Sequence, residues 1–326
     1  MNQVVIKSKV VGVDVGIDTT TFAIVDVRGN ILAEDSFMTT DYPEISSFID
    51  KMSESILTLV EANGGYESIR SVGISAPSAN SRTYCLENAS NLPWKGVVPM
   101  AAMLQDRLGL AVALVNNAHA TALSEHVYGN AHGMTDFILI TLGHGLGSCI
   151  VSNGLVHLGA DGFAGEIGHT CFKMGGRLCG CGKHGCLEAY TATKGIIKTT
   201  EKLLSESDAP SKMRSVERLS PSVISRLCDE GDPLAIEVYR RTGDILGAGL
   251  ASYASVLNPE AIIFTGGIAR AGKWLLEPAY ESFEKHVFHN IVGKVQFLKS
   301  ALDDHVRTLL GAAVLAWEVK EYSLFK

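Results

Sequence analysis

One pattern occurs twice in this chain, and it restricts the fold more than any other feature. Residues 10–15 form a short apolar run rich in β-branched side chains, broken at Gly16; residues 21–27 repeat that character before the turn Arg28-Gly29-Asn30. Residues 137–141 open the same way, pass through Gly143-His144-Gly145-Leu146-Gly147, and return as a second apolar run at 148–151. Short β-branched runs joined by glycine turns read as strands, and a repeated opening reads as a duplicated domain. The length of 326 residues, 46% of them hydrophobic, supplies enough apolar side chains for two cores.

Between the two openings the periods alternate. Residues 31–37 add a third strand, and Ile45, Phe48, Ile49, Met52, Ile56, Leu59 and Val60 recur at helical spacing behind Pro43. Residues 71–75 are a strand ended by Ala76-Pro77, and the polar stretch 78–94 is too long for a plain connector, which makes it a candidate binding loop. A helix over 97–108, a strand over 111–115 and a helix over 118–128 follow, with Asn116 and Asn117 at the junction of the last two. Further on, helices are expected over 193–204, 223–230, 233–256 and 308–319, with a buried strand at 261–264 running into Thr265-Gly266-Gly267. Residues 205–214 read as a mobile surface loop. The result is an α/β chain.

The formal charge of −7 offers no general attraction to nucleic acid or an anionic membrane surface, so any phosphate affinity must be local. No basic segment followed by an apolar one opens the sequence, and no apolar run reaches the roughly 20 residues of a spanning helix. A cytoplasmic protein with a small-molecule partner is the expectation. Four of the seven cysteines fall within residues 171–186, a cluster that in a reducing compartment reads as a metal site rather than a disulfide framework. His169, Cys179, Cys181 and Cys186 offer one imidazole and three thiolates, a closed set that favours structural zinc over catalytic zinc. Cys171 is a competing ligand, while Cys85, Cys149 and Cys228 read as core thiols.

The segment Gly165-Glu166-Ile167-Gly168-His169, then Cys179-Gly180-Cys181-Gly182, then Gly185-Cys186-Leu187-Glu188 resembles the signature of the ROK family (repressor, open reading frame, kinase). The loop Asn91-Leu92-Pro93-Trp94 and the opening Gly311-Ala312-Ala313 of the last helix extend the resemblance along the whole chain. It implies an actin-like ATPase (ribonuclease H-like) fold of two α/β domains with a cleft between them. The first would comprise residues 1–117 plus 309–326 and the second 118–308, the latter carrying the zinc loop. It further implies an ATP- and Mg²⁺-dependent hexose kinase, commonly a homodimer. Glu166, His169, Glu188, Asn116 and Asn91 would contact the sugar. Asp14 would hold Mg²⁺ through water, Gly16, Gly143, Gly145 and Gly147 would cradle phosphate, and Gly266-Gly267 would seat the adenosine.

The chain departs from that family at four positions. The residue after the sugar-binding Asn is ordinarily the Asp that takes the hydroxyl proton; here it is Asn117, whose amide orients a hydroxyl and accepts no proton. Asp18 and His144 stand where the two phosphate turns usually carry Thr, and His119 replaces an Asn. General-base assistance is typically worth about 10²–10⁴-fold, so the expectation is an impaired glucokinase-like enzyme or, alternatively, a non-catalytic sugar-binding protein derived from one. A sugar-responsive repressor is disfavoured, because about ten residues before the first strand are too few for a DNA-binding domain.

Overall fold

The computed structural model describes residues 7–89 and 91–319, so the outer ends of the expected first domain, 1–6 and 320–326, lie outside the described residues. By contact the chain forms two compact units: Met1–His132 with Leu158–Ala164 and Leu302–Lys326, and Gly133–His157 with Gly165–Ala301.

In the first unit β1 (Lys9–Val15), β2 (Thr19–Asp26) and β3 (Ile31–Met38) form an antiparallel meander. Helix α1 (Ile45–Ala62) leads to β4 (Ile69–Ala76), which pairs parallel to β1. Three short strands, β5 (Ala79–Asn80), β6 (Cys85–Glu87) and β7 (Val97–Val98), form a small separate sheet. Helix α2 (Met100–Leu108) and β8 (Ala111–Asn116) complete the main sheet in the order β3-β2-β1-β4-β8. Helix α3 (Asn117–Tyr128) follows directly. The last helix, α9 (Arg307–Glu318), returns to this unit and covers one face of the sheet through Leu309, Leu310, Ala313 and Ala316, while Phe48, Met52, Ile56 and Leu104 of α1 and α2 pack on the other. A Cβ on Gly73 would stand 1.9 Å from the Ala312 carbonyl oxygen, and one on Gly311 would stand 1.8 Å from that of Ala120, so α9 lies in backbone contact with β4 and α3. This contact groups α3 with the first unit, whereas the family resemblance places the start of the second domain at residue 118.

The second unit repeats the sheet. Strands β9 (Phe137–Leu142), β10 (Leu146–Ser152) and β11 (Leu155–Val156) form the antiparallel meander, and β12 (Ala261–Thr265) and β13 (Gln296–Lys299) add in parallel on the other side of β9. The order β11-β10-β9-β12-β13 matches that of the first sheet element for element. Helices α4 (Glu188–Thr191), α5 (Thr193–Glu206), α6 (Pro221–Asp229), α7 (Pro233–Leu257) and α8 (Lys273–His286) complete the unit. The core collects Ile138, Ile140, Ile262 and Phe264 of the sheet with Leu246, Leu250, Leu275 and Phe283 of α7 and α8. The fold is therefore the expected duplicated, actin-like α/β architecture. No described helix is long and apolar enough to cross a membrane.

Two local expectations change. Helix α2 begins at Met100, because Val97 and Val98 pair with Glu87 and Leu86 before Pro99 turns the chain. The segment 205–214 is tied down: the Arg214 guanidinium donates to the carbonyls of Leu204, Ser207 and Ala209, and Ser211 donates to Asp232.

Candidate active site

The strand-to-helix junction β8–α3 presents the two adjacent asparagines. Asn116 is the cap of α3, its side-chain oxygen accepting from the Ala118 N–H at 2.8 Å, which satisfies one of the free donors at a helix start. Asn117 is the first helical residue, and its Oδ1 accepts the Ser75 hydroxyl at 3.2 Å. Ser75 sits opposite Asp14 in the parallel β1–β4 register. The Thr308 hydroxyl donates to Asp14 Oδ2 at 2.8 Å, while Asp14 Oδ1 is buried with no partner. Burial pushes the Asp14 carboxyl above the usual carboxylate range, and the hydrogen bond from Thr308 pulls it partly back. An orphaned buried carboxylate oxygen is costly to maintain, and it fits a site whose cation arrives with the nucleotide. The turn after β1 is closed by the Gly16 N–H to the Thr19 carbonyl at 3.0 Å, with Asp18 exposed beside it. Asn91 is exposed on a loop whose Leu92 and Trp94 are buried.

In the second unit the signature segment folds into one compact assembly. The Ser148 hydroxyl donates to the Gly165 carbonyl and accepts the Ile167 N–H at 3.1 Å, fixing the segment that carries Glu166. Glu166 is open to solvent, yet partial burial raises its carboxyl, with His169 opposing and the neighbouring Glu188 reinforcing the shift. Glu188 bridges two motifs: Oε2 accepts the Leu146 N–H of the glycine turn at 2.9 Å, and Oε1 receives Cys179 Sγ at 3.3 Å. That turn is also anchored from below, the Thr193 hydroxyl and N–H both donating to the Gly143 carbonyl at 2.9 and 3.0 Å. His144 stands exposed at its tip, and Gly145 and Gly147 flank Leu146.

The four candidate metal ligands meet. Atoms of His169, Cys179, Cys181 and Cys186 all lie within 4.8 Å of one another. The Cys179 Sγ to His169 Nδ1 distance is 3.8 Å and the Cys181 to Cys186 Sγ distance is 3.7 Å. Tetrahedral zinc with Zn–S bonds near 2.3 Å requires ligand edges of about 3.8 Å, so the donor set fits the ion in size as well as in kind. Burial pushes the Cys179 thiol up to about 12, while the Lys183 N–H pulls Cys181 below the usual thiol value. Cys171 pairs by backbone with Cys186 but is exposed and outside the set of four.

At the ends of β9 and β12 the structure adds two residues that sequence reasoning did not single out. Thr141 and Thr265 are register partners, and both hydroxyls are buried without a partner beside Gly143 and Gly266. Gly266 adopts φ +91°, and a Cβ there would lie 2.3 Å from the Leu142 carbonyl oxygen, so only glycine fits. Gly267 opens the following turn with free space around it. The one signal in the sequence was the position of each threonine as the last polar residue before a glycine turn.

The pattern of the ROK family matches residues 10–319. The chain belongs to the ROK family. Among its relatives, the glucokinase of Thermotoga maritima is 31% identical over 95% of this chain and 98% of its own length. The xylose repressor of Bacillus subtilis is 25% identical, over 92% of this chain and 74% of the repressor. Among solved structures, a ROK family glucokinase from Streptomyces griseus in complex with glucose and AMPPNP superposes with a TM-score of 0.74 and 30% identity, covering 95% of this chain and all of that one. This ROK chain therefore shares its fold with sugar kinases along nearly its whole described length.

Proposed function

We propose that this ROK protein binds a hexose of the glucose type and phosphorylates it with ATP, at a rate limited by the absence of a proton acceptor at position 117. The observation that carries the reading is the assembly of Glu166, His169, Glu188 and the Cys/His cluster in a chain 31% identical to a glucokinase over 95% of its length. Glu166, His169 and Glu188 would meet the sugar hydroxyls, with Asn116 and Asn91 adding contacts. Glu188 is held at a fixed angle by the Leu146 N–H bond to its Oε2, so the glycine turn acts on sugar binding by orienting this carboxylate. Zinc would be structural, held by His169, Cys179, Cys181 and Cys186. ATP with Mg²⁺ supplies the transferable phosphoryl group and neutralises the charge developing on it. Asp14, through its unpaired Oδ1, would hold the hydrated cation; Gly16, Gly143, Gly145 and Gly147 would admit phosphate to backbone N–H groups, with the Thr141 and Thr265 hydroxyls as further donors; Gly266 and Gly267 would seat the adenosine. A homodimer follows from the family resemblance alone.

Asn117 supports a second reading, a sugar-binding protein without catalysis. Its Oδ1 already accepts the Ser75 hydroxyl, and an amide takes no proton at neutral pH. Both readings share hexose binding, which calorimetric titration with glucose and a panel of hexoses tests. Glucose should bind and Glu166→Ala should abolish binding; absence of binding by every hexose at millimolar concentration would refute both.

A further inference from the structure

The chain leaves the second unit at His157, contributes Leu158–Ala164 to the first, and re-enters the second at Gly165, one residue before Glu166. This excursion is a closed loop, the Ala164 N–H donating to the Leu158 carbonyl at 3.2 Å. Its flanks are fixed where they belong to the second unit: the His157 N–H donates to the Ile150 carbonyl at 2.8 Å, and Ser148 grips Gly165 and Ile167. Its tip is held by a side chain of the first unit. Asn80, 1% exposed, donates from Nδ2 to the Asp161 carbonyl at 2.8 Å. Its Oδ1 accepts the Arg82 N–H at 2.9 Å, a turn-forming bond that orients the carboxamide so that Nδ2 faces Asp161. Gly162, at φ +90°, lies flat against the same carboxamide, and a Cβ there would come within 2.1 Å of Asn80 Oδ1.

We propose that Asn80 is a positioning residue for the sugar site: by clamping Asp161 and Gly162 it fixes the crossing segment and thereby the entry of Glu166. The inference rests on the hexose reading. A carboxamide is the side chain this place requires, because one end must accept from Arg82 while the other donates to Asp161. Asn80→Asp separates the two roles. The carboxylate keeps the bond from Arg82 and places an acceptor against the Asp161 carbonyl, so the turn survives and the clamp opens. Gly162→Ala opens it from the other side.

The test combines glucose titration with backbone hydrogen exchange on the full chain. Asn80→Asp and Gly162→Ala should each weaken glucose binding by about tenfold, the scale of one lost buried hydrogen bond, and should raise exchange across residues 158–169. Ile56→Val, a core substitution in α1 of the same unit, should lower the melting temperature and change neither readout. If the parent binds glucose and Asn80→Asp binds it equally well with unchanged exchange at 158–169, the clamp is refuted. If Ile56→Val weakens glucose binding as much as Asn80→Asp does, the effect is one of stability and the positioning role falls. If the parent binds no hexose, the hexose reading itself fails and the positioning role falls with it.

Discussion

His119 gives this protein a stability that depends on pH in a calculable way. The side chain is 6% exposed in the first turn of α3, and its Nδ1 is buried without a partner. Burial alone lowers its pKa from 6.5 to about 4 in the folded chain. The folded value is the depressed one, so the unfolded chain takes up the proton first as pH falls. Above pH 6.5 the imidazole is neutral in both states and the full stability is present; between 6.5 and about 4 stability is lost, and below that the loss is complete. At about 1.4 kcal/mol per unit over this span, the total loss is roughly 3 kcal/mol, of which about 2 kcal/mol is gone by pH 5. The assay is urea unfolding of the parent and of His119→Asn at intervals from pH 7.5 to 4.5. Other titrating groups cancel in the difference between the two proteins, and the smaller volume of Asn adds an offset that does not vary with pH. The variant should gain on the parent by about 2 kcal/mol between pH 7 and pH 5. A difference that stays constant across that range would show that His119 titrates in the fold as it does in the unfolded chain and that the burial argument is wrong.

Metal analysis should return one zinc per chain, and Cys181→Ser should lose the metal and melt at lower temperature; no zinc in the purified parent, or unchanged metal in the variant, refutes the tetrahedral reading. Gly266→Ala should destabilise by about 1–3 kcal/mol, because it forces a side chain into a positive φ and against the Leu142 carbonyl; urea unfolding indistinguishable from the parent would refute that.

The duplicated architecture was legible because each half opens with the same pair of short apolar strands, and strands buried on both faces leave uninterrupted β-branched runs. The clustering of His169 with Cys179, Cys181 and Cys186 was legible because Cys and His at close spacing have few other uses. What the sequence does not display is long-range. Nothing local to 158–164 says that it joins the first unit; its hydrogen bond there is to Asn80, some eighty positions earlier. The strands β5 to β7 are two or three residues each, too short for a period, and the helical period of α8 is broken by Pro278. The grouping of α3 with the first unit is not visible in the sequence, because it comes from packing on α9. The buried hydroxyls of Thr141 and Thr265 look ordinary until the fold removes their water.

On the proposed hexose-kinase reading, the departure that limits the rate is Asn117 in the place of a proton acceptor. Asn and Asp have nearly the same volume, and a carboxylate at position 117 would still accept the Ser75 hydroxyl, so Asn117→Asp should fold normally and bind sugar within a few fold of the parent. ADP release with glucose, ATP and Mg²⁺ is the direct measurement: the parent should be slow or silent, and Asn117→Asp should gain about 10²-fold or more in turnover. A variant that binds glucose and shows no gain, or a parent already turning over at about the median enzymatic rate of ~10 s⁻¹, would contradict the account.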